Sequence, residues 1–158
     1  MNPLSNTRRT FLKLSTAVGA LGALAAAGLL RTTQVLAAAW NQAGFESKAV
    51  ADALKALGAS GAVQSGDIVI TAPDIAENGA VVPIEVVSRI PNTQSIAIIA
   101  EKNPFPLAAV MELAGGAEPY GYVRIKMGQT SNVRAVVKAG GKFFTAAREV
   151  KITIGGCG

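Results

Sequence analysis

The sequence predicts a mainly β protein, an antiparallel β-sandwich of about seven strands with one short N-terminal helix, preceded by an export signal. Three observations predict it. Apolar residues recur with a period of two from Asp67 onward, turn residues separate the runs about every 12 residues, and a helical period occurs just once, before the first strand.

The N-terminus comes first. Thr7-Arg8-Arg9-Thr10-Phe11-Leu12-Lys13 is a twin-arginine pair followed by an apolar dipeptide and a lysine. An uncharged run of 17 residues, Leu14 to Leu30, then precedes Arg31 and the small-residue cluster Ala37-Ala38-Ala39. This order of basic, apolar and small-residue regions reads residues 1–39 as a twin-arginine signal peptide with an approximate cleavage point. An uncleaved anchor is the competing reading, but the run is short and rich in Gly and Ala for a span that needs ~20 apolar residues.

Removing the leader changes the charge argument. Without Arg8, Arg9, Lys13 and Arg31, the fifteen basic residues fall to eleven against ten acidic ones, a net charge of +1. No clustered positive charge remains to neutralise phosphates, which argues against a nucleic-acid partner. Loss of the leader would also leave no segment for stable membrane association. The chain contains no histidine, which removes Ser-His-Asp and Cys-His catalysis and His-ligated metal centres. No metal or cofactor is expected.

In residues 40–154, Val50, Leu54 and Leu57 recur at helical spacing, and Gly58 supplies a stop, so one helix is expected over Phe45–Leu57. The first strand carries Ile68 and Ile70, and the second Val82, Ile84 and Val86. Ile96, Ile98 and Ala100 form the third, and Leu107 to Leu113 the fourth. Val123, Ile125 and Met127 mark the fifth; Val133, Ala135 and Val137 the sixth; Val150, Ile152 and Ile154 the last. Asn78-Gly79, Pro91-Asn92, Asn103-Pro104, Gly115-Gly116 and Gly128 punctuate them, and Gly140-Gly141 predicts a tight hairpin. A small barrel fits the same periodicity and stays open. The runs Ile96–Ala100 and Leu107–Leu113 are apolar on both faces. They are either central strands covered by the helix or a face that meets a partner chain.

The chain carries one cysteine, so no internal disulfide can form. Cys157 lies in Gly155-Gly156-Cys157-Gly158, where Gly155, Gly156 and Gly158 make a flexible arm at 155–158. Thiolate activation needs a helix N-terminus, a cation or a base, and none lies close in sequence. The thiol is therefore read as a covalent attachment point on which other enzymes act, with no catalytic residue in this chain. A disulfide-linked extracytoplasmic structural sandwich, a redox thiol enzyme and an incidental cysteine are the competing readings. Prenylation does not fit, because that motif places the cysteine four residues from the end.

The leader, the helix, Ala72-Pro73-Asp74-Ile75-Ala76-Glu77-Asn78-Gly79 with Val82-Pro83, Asn103-Pro104-Phe105-Pro106 and the Gly155–Gly158 tail together resemble the SoxY family. Its members are the sulfur-carrier subunits of the bacterial thiosulfate-oxidising (Sox) system. The family tail usually carries one more glycine after the cysteine's first, a departure that shortens the arm without removing the attachment atom. The resemblance implies an immunoglobulin-like antiparallel β-sandwich, and a periplasmic carrier that holds sulfur intermediates covalently on Cys157 and needs no other cofactor. It also implies a heterodimer with a small SoxZ-like β partner. The enzymes acting on the arm would be a c-type cytochrome, a sulfate-releasing hydrolase and a sulfane dehydrogenase.

Overall fold

Nine strands and two short helices follow one another in the computed structural model, which describes residues 41–153. Helix α1 is Gln42–Phe45 and helix α2 is Val50–Ala56. The strands are β1 (Val63–Gln64), β2 (Ile68–Thr71), β3 (Ile75–Ala76), β4 (Val82–Ser88), β5 (Thr93–Ala100), β6 (Leu107–Glu112), β7 (Tyr120–Ile125), β8 (Ser131–Ala139) and β9 (Lys142–Ile152). The larger sheet has the order β1-β9-β8-β5-β6, with β3 also on β9, and the smaller has the order β2-β4-β7. The two separate sheets make an immunoglobulin-like sandwich, which decides against the small barrel that the periodicity leaves open.

The expected seven strands are β2 and β4 to β9, and their ladders are antiparallel. The two additional strands, β1 and β3, are two-residue segments that pair parallel with β9. They are too short to register as a period. Strand β9 starts at Lys142, eight residues before the apolar run at Val150 that marked it. Its core-facing row includes Arg148, opposite Val133, which breaks the alternation. The Arg148 guanidinium bonds the Ile70 carbonyl at 3.4 Å and the Asp74 carboxylate at 2.7 Å, so a cation occupies a position that usually holds an apolar side chain.

The expected single helix over Phe45–Leu57 is two helices, and the break has local causes. The Asn41 side chain accepts from the Gly44 N–H at 3.0 Å, capping α1, and donates to the Ala56 carbonyl at 3.1 Å, tying down the end of α2. Between them Ala49 is extended, with φ −122° and ψ 145°. Gly58 ends α2 as expected. At φ 73° it allows Ala59 N–H to reach Leu54 O and Gly58 N–H to reach Lys55 O, the paired bonds of a Schellman motif. The Gly140-Gly141 hairpin is also present, with φ 55° and 76°, as a type I′ turn requires.

Two apolar layers result. Between the sheets lie Ile70, Val82, Ile84, Val86, Ile96, Ile98, Val133, Val137 and Val150. On the opposite face of the large sheet, Ala97, Ile99, Leu107 and Val136 pack against Phe45, Val50, Leu54 and Leu57 from the helical segment. This decides between the two readings of the β5 run. Strand β5 is a central strand whose second face is covered by the helices, and each fully buried isoleucine on it contributes about 1.5–3 kcal/mol. Strand β6, by contrast, is an edge strand and only half-buried past Leu107.

Candidate functional site

One end of the sandwich is built around the end of β9. The Ile152 N–H donates to Thr130 Oγ1 at 2.9 Å, and the Thr153 N–H donates to the Ala76 carbonyl at 3.2 Å. Two residues upstream of Ile152, Val150 is wholly buried. The strand is thus clamped on both sides up to Thr153, the last described residue. Cys157, Gly155, Gly156 and Gly158 lie outside the described residues, as does the 1–39 leader.

Three loops meet at this end and bond to one another. Asn103, in the turn between β5 and β6, donates from Nδ2 to the Lys126 carbonyl at 2.6 Å and accepts the Gly128 N–H on Oδ1 at 3.3 Å. The Gln129 side chain adds a longer bond to the Lys102 carbonyl, 3.4 Å. The Met127 N–H donates to the Gly79 carbonyl at 2.7 Å, which joins the 126–130 loop to the 72–81 segment. Gly79 fits here because a Cβ would run into the Met127 carbonyl oxygen and crowd the Ile152 side chain. Asn78 closes its own turn, its Oδ1 accepting from Ala80 N–H at 2.9 Å. The result is a hydrogen-bonded collar around the root of the tail.

Beside the collar, Glu101 accepts from Arg134 Nε and Nη2 at 2.8 and 2.6 Å and from Asn132 Nδ2 at 3.2 Å. This pair is partly screened from solvent and fixes the start of the β5–β6 turn. The Arg148–Asp74 pair is more exposed and contributes little to stability. Among the described residues, no three His, Cys, Asp or Glu side chains cluster as a metal site needs.

The opposite end holds a cleft of about 700 Å³ lined by residues that include Arg89, Asn92, Thr93 and Leu113. Strand β8 runs the distance between the two ends, from Ser131 beside Val150 to Ala139 beside Thr93. Nine residues of strand span about 27–30 Å. Cys157 is four residues beyond Thr153, a reach of at most about 14 Å.

The family model for the sulfur oxidation protein SoxY matches residues 53–157, which includes Cys157. The chain belongs to the SoxY family. Among solved structures, the chain is similar to the sulfur carrier protein SoxY from Chlorobium limicola f. thiosulfatophilum, at 41% identity and a TM-score of 0.59, covering 65% of this chain and 94% of that one. A superoxide reductase (neelaredoxin) from Ignicoccus hospitalis is also similar, at 19% identity and a TM-score of 0.49, covering 54% of this chain and 79% of that one. A comparison with curated proteins finds no match. Membership of the SoxY family places the chain among sulfur-oxidation proteins. The two internal segments that carry the resemblance, 72–79 and 103–106, lie at the same end of the sandwich, joined through the 126–130 loop. Both build the collar. In the sequence Asn78-Gly79 and Asn103-Pro104 read as turn residues and the two segments as marks of the family resemblance, whereas Thr130, which holds Ile152, carries no signal beyond a polar residue after Gly128.

Proposed function

We propose that the protein is a periplasmic carrier that holds sulfur-oxidation intermediates covalently on Cys157 while other enzymes act on them. The observation that carries this reading is the SoxY match extending through Cys157, four residues past a clamped strand end. A fixed root with a short glycine-flanked extension presents a thiol to an external active site without disturbing the sandwich. Loading is a two-electron oxidation. The Cys157 thiol and thiosulfate form a sulfur–sulfur bond, one proton leaves, and a c-type cytochrome takes both electrons. A hydrolase then uses water to release sulfate, leaving a persulfide on Cys157 as substrate for a sulfane dehydrogenase. A SoxZ-like small β partner completes a heterodimer, and the twin-arginine route exports the folded pair.

Incubation with thiosulfate and the loading cytochrome, followed by mass measurement of the C-terminal peptide, tests the carrier role. A thiosulfonate adduct on Cys157 that is absent from Cys157→Ser is expected. Equal loading of the serine variant would overturn it. The intact mass of exported protein tests the leader, and an unprocessed N-terminus would refute cleavage near residue 39.

A further inference from the structure

We infer that Asn78 is a site of spontaneous covalent modification, at which the fold directs the side-chain amide to condense with the Gly79 nitrogen and so release ammonia. The inference does not rest on the carrier reading. Four observations at one turn lead to it. The first is sequence. Asn78-Gly79 is the only Asn-Gly pair in the chain, and the other six asparagines precede Pro, Thr, Gln or Val. Asparagine is a thermolabile side chain, and a following glycine has no Cβ to keep its nitrogen away from the amide carbon.

The second observation is access. Asn78 is exposed, and among the described residues neither its Nδ2 nor the Gly79 N–H donates a hydrogen bond. Nucleophile and leaving group are both open to water. The third is polarisation. Asn78 Oδ1 accepts from the Ala80 N–H at 2.9 Å. That bond closes the side chain over the intervening Gly79 peptide. It also sets a donor on the oxygen that gains negative charge when a nucleophile adds to Cγ. The fourth is fixation. The Gly79 carbonyl accepts from the Met127 N–H at 2.7 Å and the Asn78 carbonyl from the Val81 N–H at 3.4 Å, so the reacting peptide is held in one turn.

The step involves no change of oxidation state. Hydroxide takes the Gly79 amide proton, the nitrogen bonds to Asn78 Cγ, and the Cγ–Nδ2 bond breaks as ammonia leaves with a proton from water. Water then opens the five-membered imide. Cleavage of the Cγ–N bond gives aspartate, and cleavage of the backbone C–N bond gives isoaspartate, in which the chain runs through the side-chain carbon. The isoaspartate product lengthens the backbone by one methylene. It cannot keep both the Asn78–Val81 turn and the Gly79–Met127 bond, so it frees the 72–81 segment from the 126–130 loop.

The test incubates the full-length protein at pH 8.5, folded and unfolded in guanidinium, and follows the tryptic peptide Ala56–Arg89 by mass. Folded protein is expected to gain about 1 Da on this peptide on the order of tenfold faster than unfolded protein, because the Ala80 donor meets Asn78 Oδ1 only in the fold. Ala80→Pro has no N–H to give and should fall to the unfolded rate. No gain in the folded protein, a folded rate no higher than the unfolded one, or wild-type speed in Ala80→Pro would each overturn the inference. The first two outcomes need no variant, so a misfolded Ala80→Pro leaves the test intact. Amide exchange at Met127 reads the product. It should accelerate in the isoaspartate fraction and stay slow in Asn78→Asp, which adds the charge without the methylene. Slow exchange in both would overturn the claim that the modification opens the turn.

Discussion

Replacing Asn103 with alanine tests whether the collar is held together as described. The side chain makes two hydrogen bonds to the backbone of the 126–130 loop, one at 2.6 Å and one at 3.3 Å, both near the surface. A net contribution of about 0.5–1 kcal/mol for each, at the lower end because water can replace them, predicts a total loss of about 1–2 kcal/mol. For a domain of this size, that lowers the thermal midpoint by about 4–8 °C. Thermal unfolding measures the sum, and amide hydrogen exchange at Gly128 reports the site. Asn103→Asp separates the two bonds, since it keeps the acceptor for Gly128 N–H and loses the donor to Lys126 O. Exchange at Gly128 should then accelerate in the alanine variant and stay slow in the aspartate variant. A stability change in Asn103→Ala below about 0.3 kcal/mol, with Gly128 exchange unaltered, would refute the argument that this side chain joins the two loops.

Three other predictions follow from the fold. In the Gly140-Gly141 turn, Gly141→Ala should cost about 1–2 kcal/mol in chemical denaturation, because alanine resists positive φ, whereas Gly140→Asn should be neutral or stabilising by up to about 1 kcal/mol. Ile99→Ala, beneath the helices, should cost about 2–5 kcal/mol; a cost no larger than that of a surface substitution would contradict the helix-covered layer. The Tyr120 phenol is held above its ordinary range by desolvation and then by the charges of Glu85, Tyr122 and Glu118, so Glu85→Gln should shift its absorbance titration to lower pH. Since the folded state favours the neutral phenol, its contribution to stability is complete below the unfolded phenol pKa and is lost as pH rises through the folded one.

The strands were legible where burial alternates cleanly. Val82, Ile84 and Val86 on β4 and Val133, Ala135 and Val137 on β8 have their side chains in the core, as the period of two implies. Met127 was expected at the end of a strand. It is buried but lies beyond β7, because its N–H donates to Gly79 rather than to a ladder. The front of β9 was hidden by Arg148, whose partners Ile70 and Asp74 are more than seventy residues away in sequence. No local pattern carries that information. The helix break was hidden for a similar reason, since the Asn41 side chain reaches both helices only once the chain has turned back. At the candidate site, the thiol and its glycines were visible as composition, and the collar was not. Asn103 and Gly79 read as ordinary turn residues until their long-range partners are known.

Under the proposed carrier role, the body of the protein would supply position and the partner enzymes the chemistry. Activating a thiol demands a nearby cation, base or helix N-terminus, and these would have to travel with Cys157 to be useful. The four residues from Ile154 to Cys157 have no room for them, and the sandwich contains no histidine to lend. What the fold can supply is position. Val150 in the core, Thr130 on Ile152 and Ala76 on Thr153 fix the point from which the tail starts. Four residues of backbone span at most about 14 Å from that point, so under the proposed role the attachment site would stay near this end of the sandwich. Loosening the collar would therefore act on KM, while changing the thiol would act on kcat. That split distinguishes a positional role for the body from a chemical one.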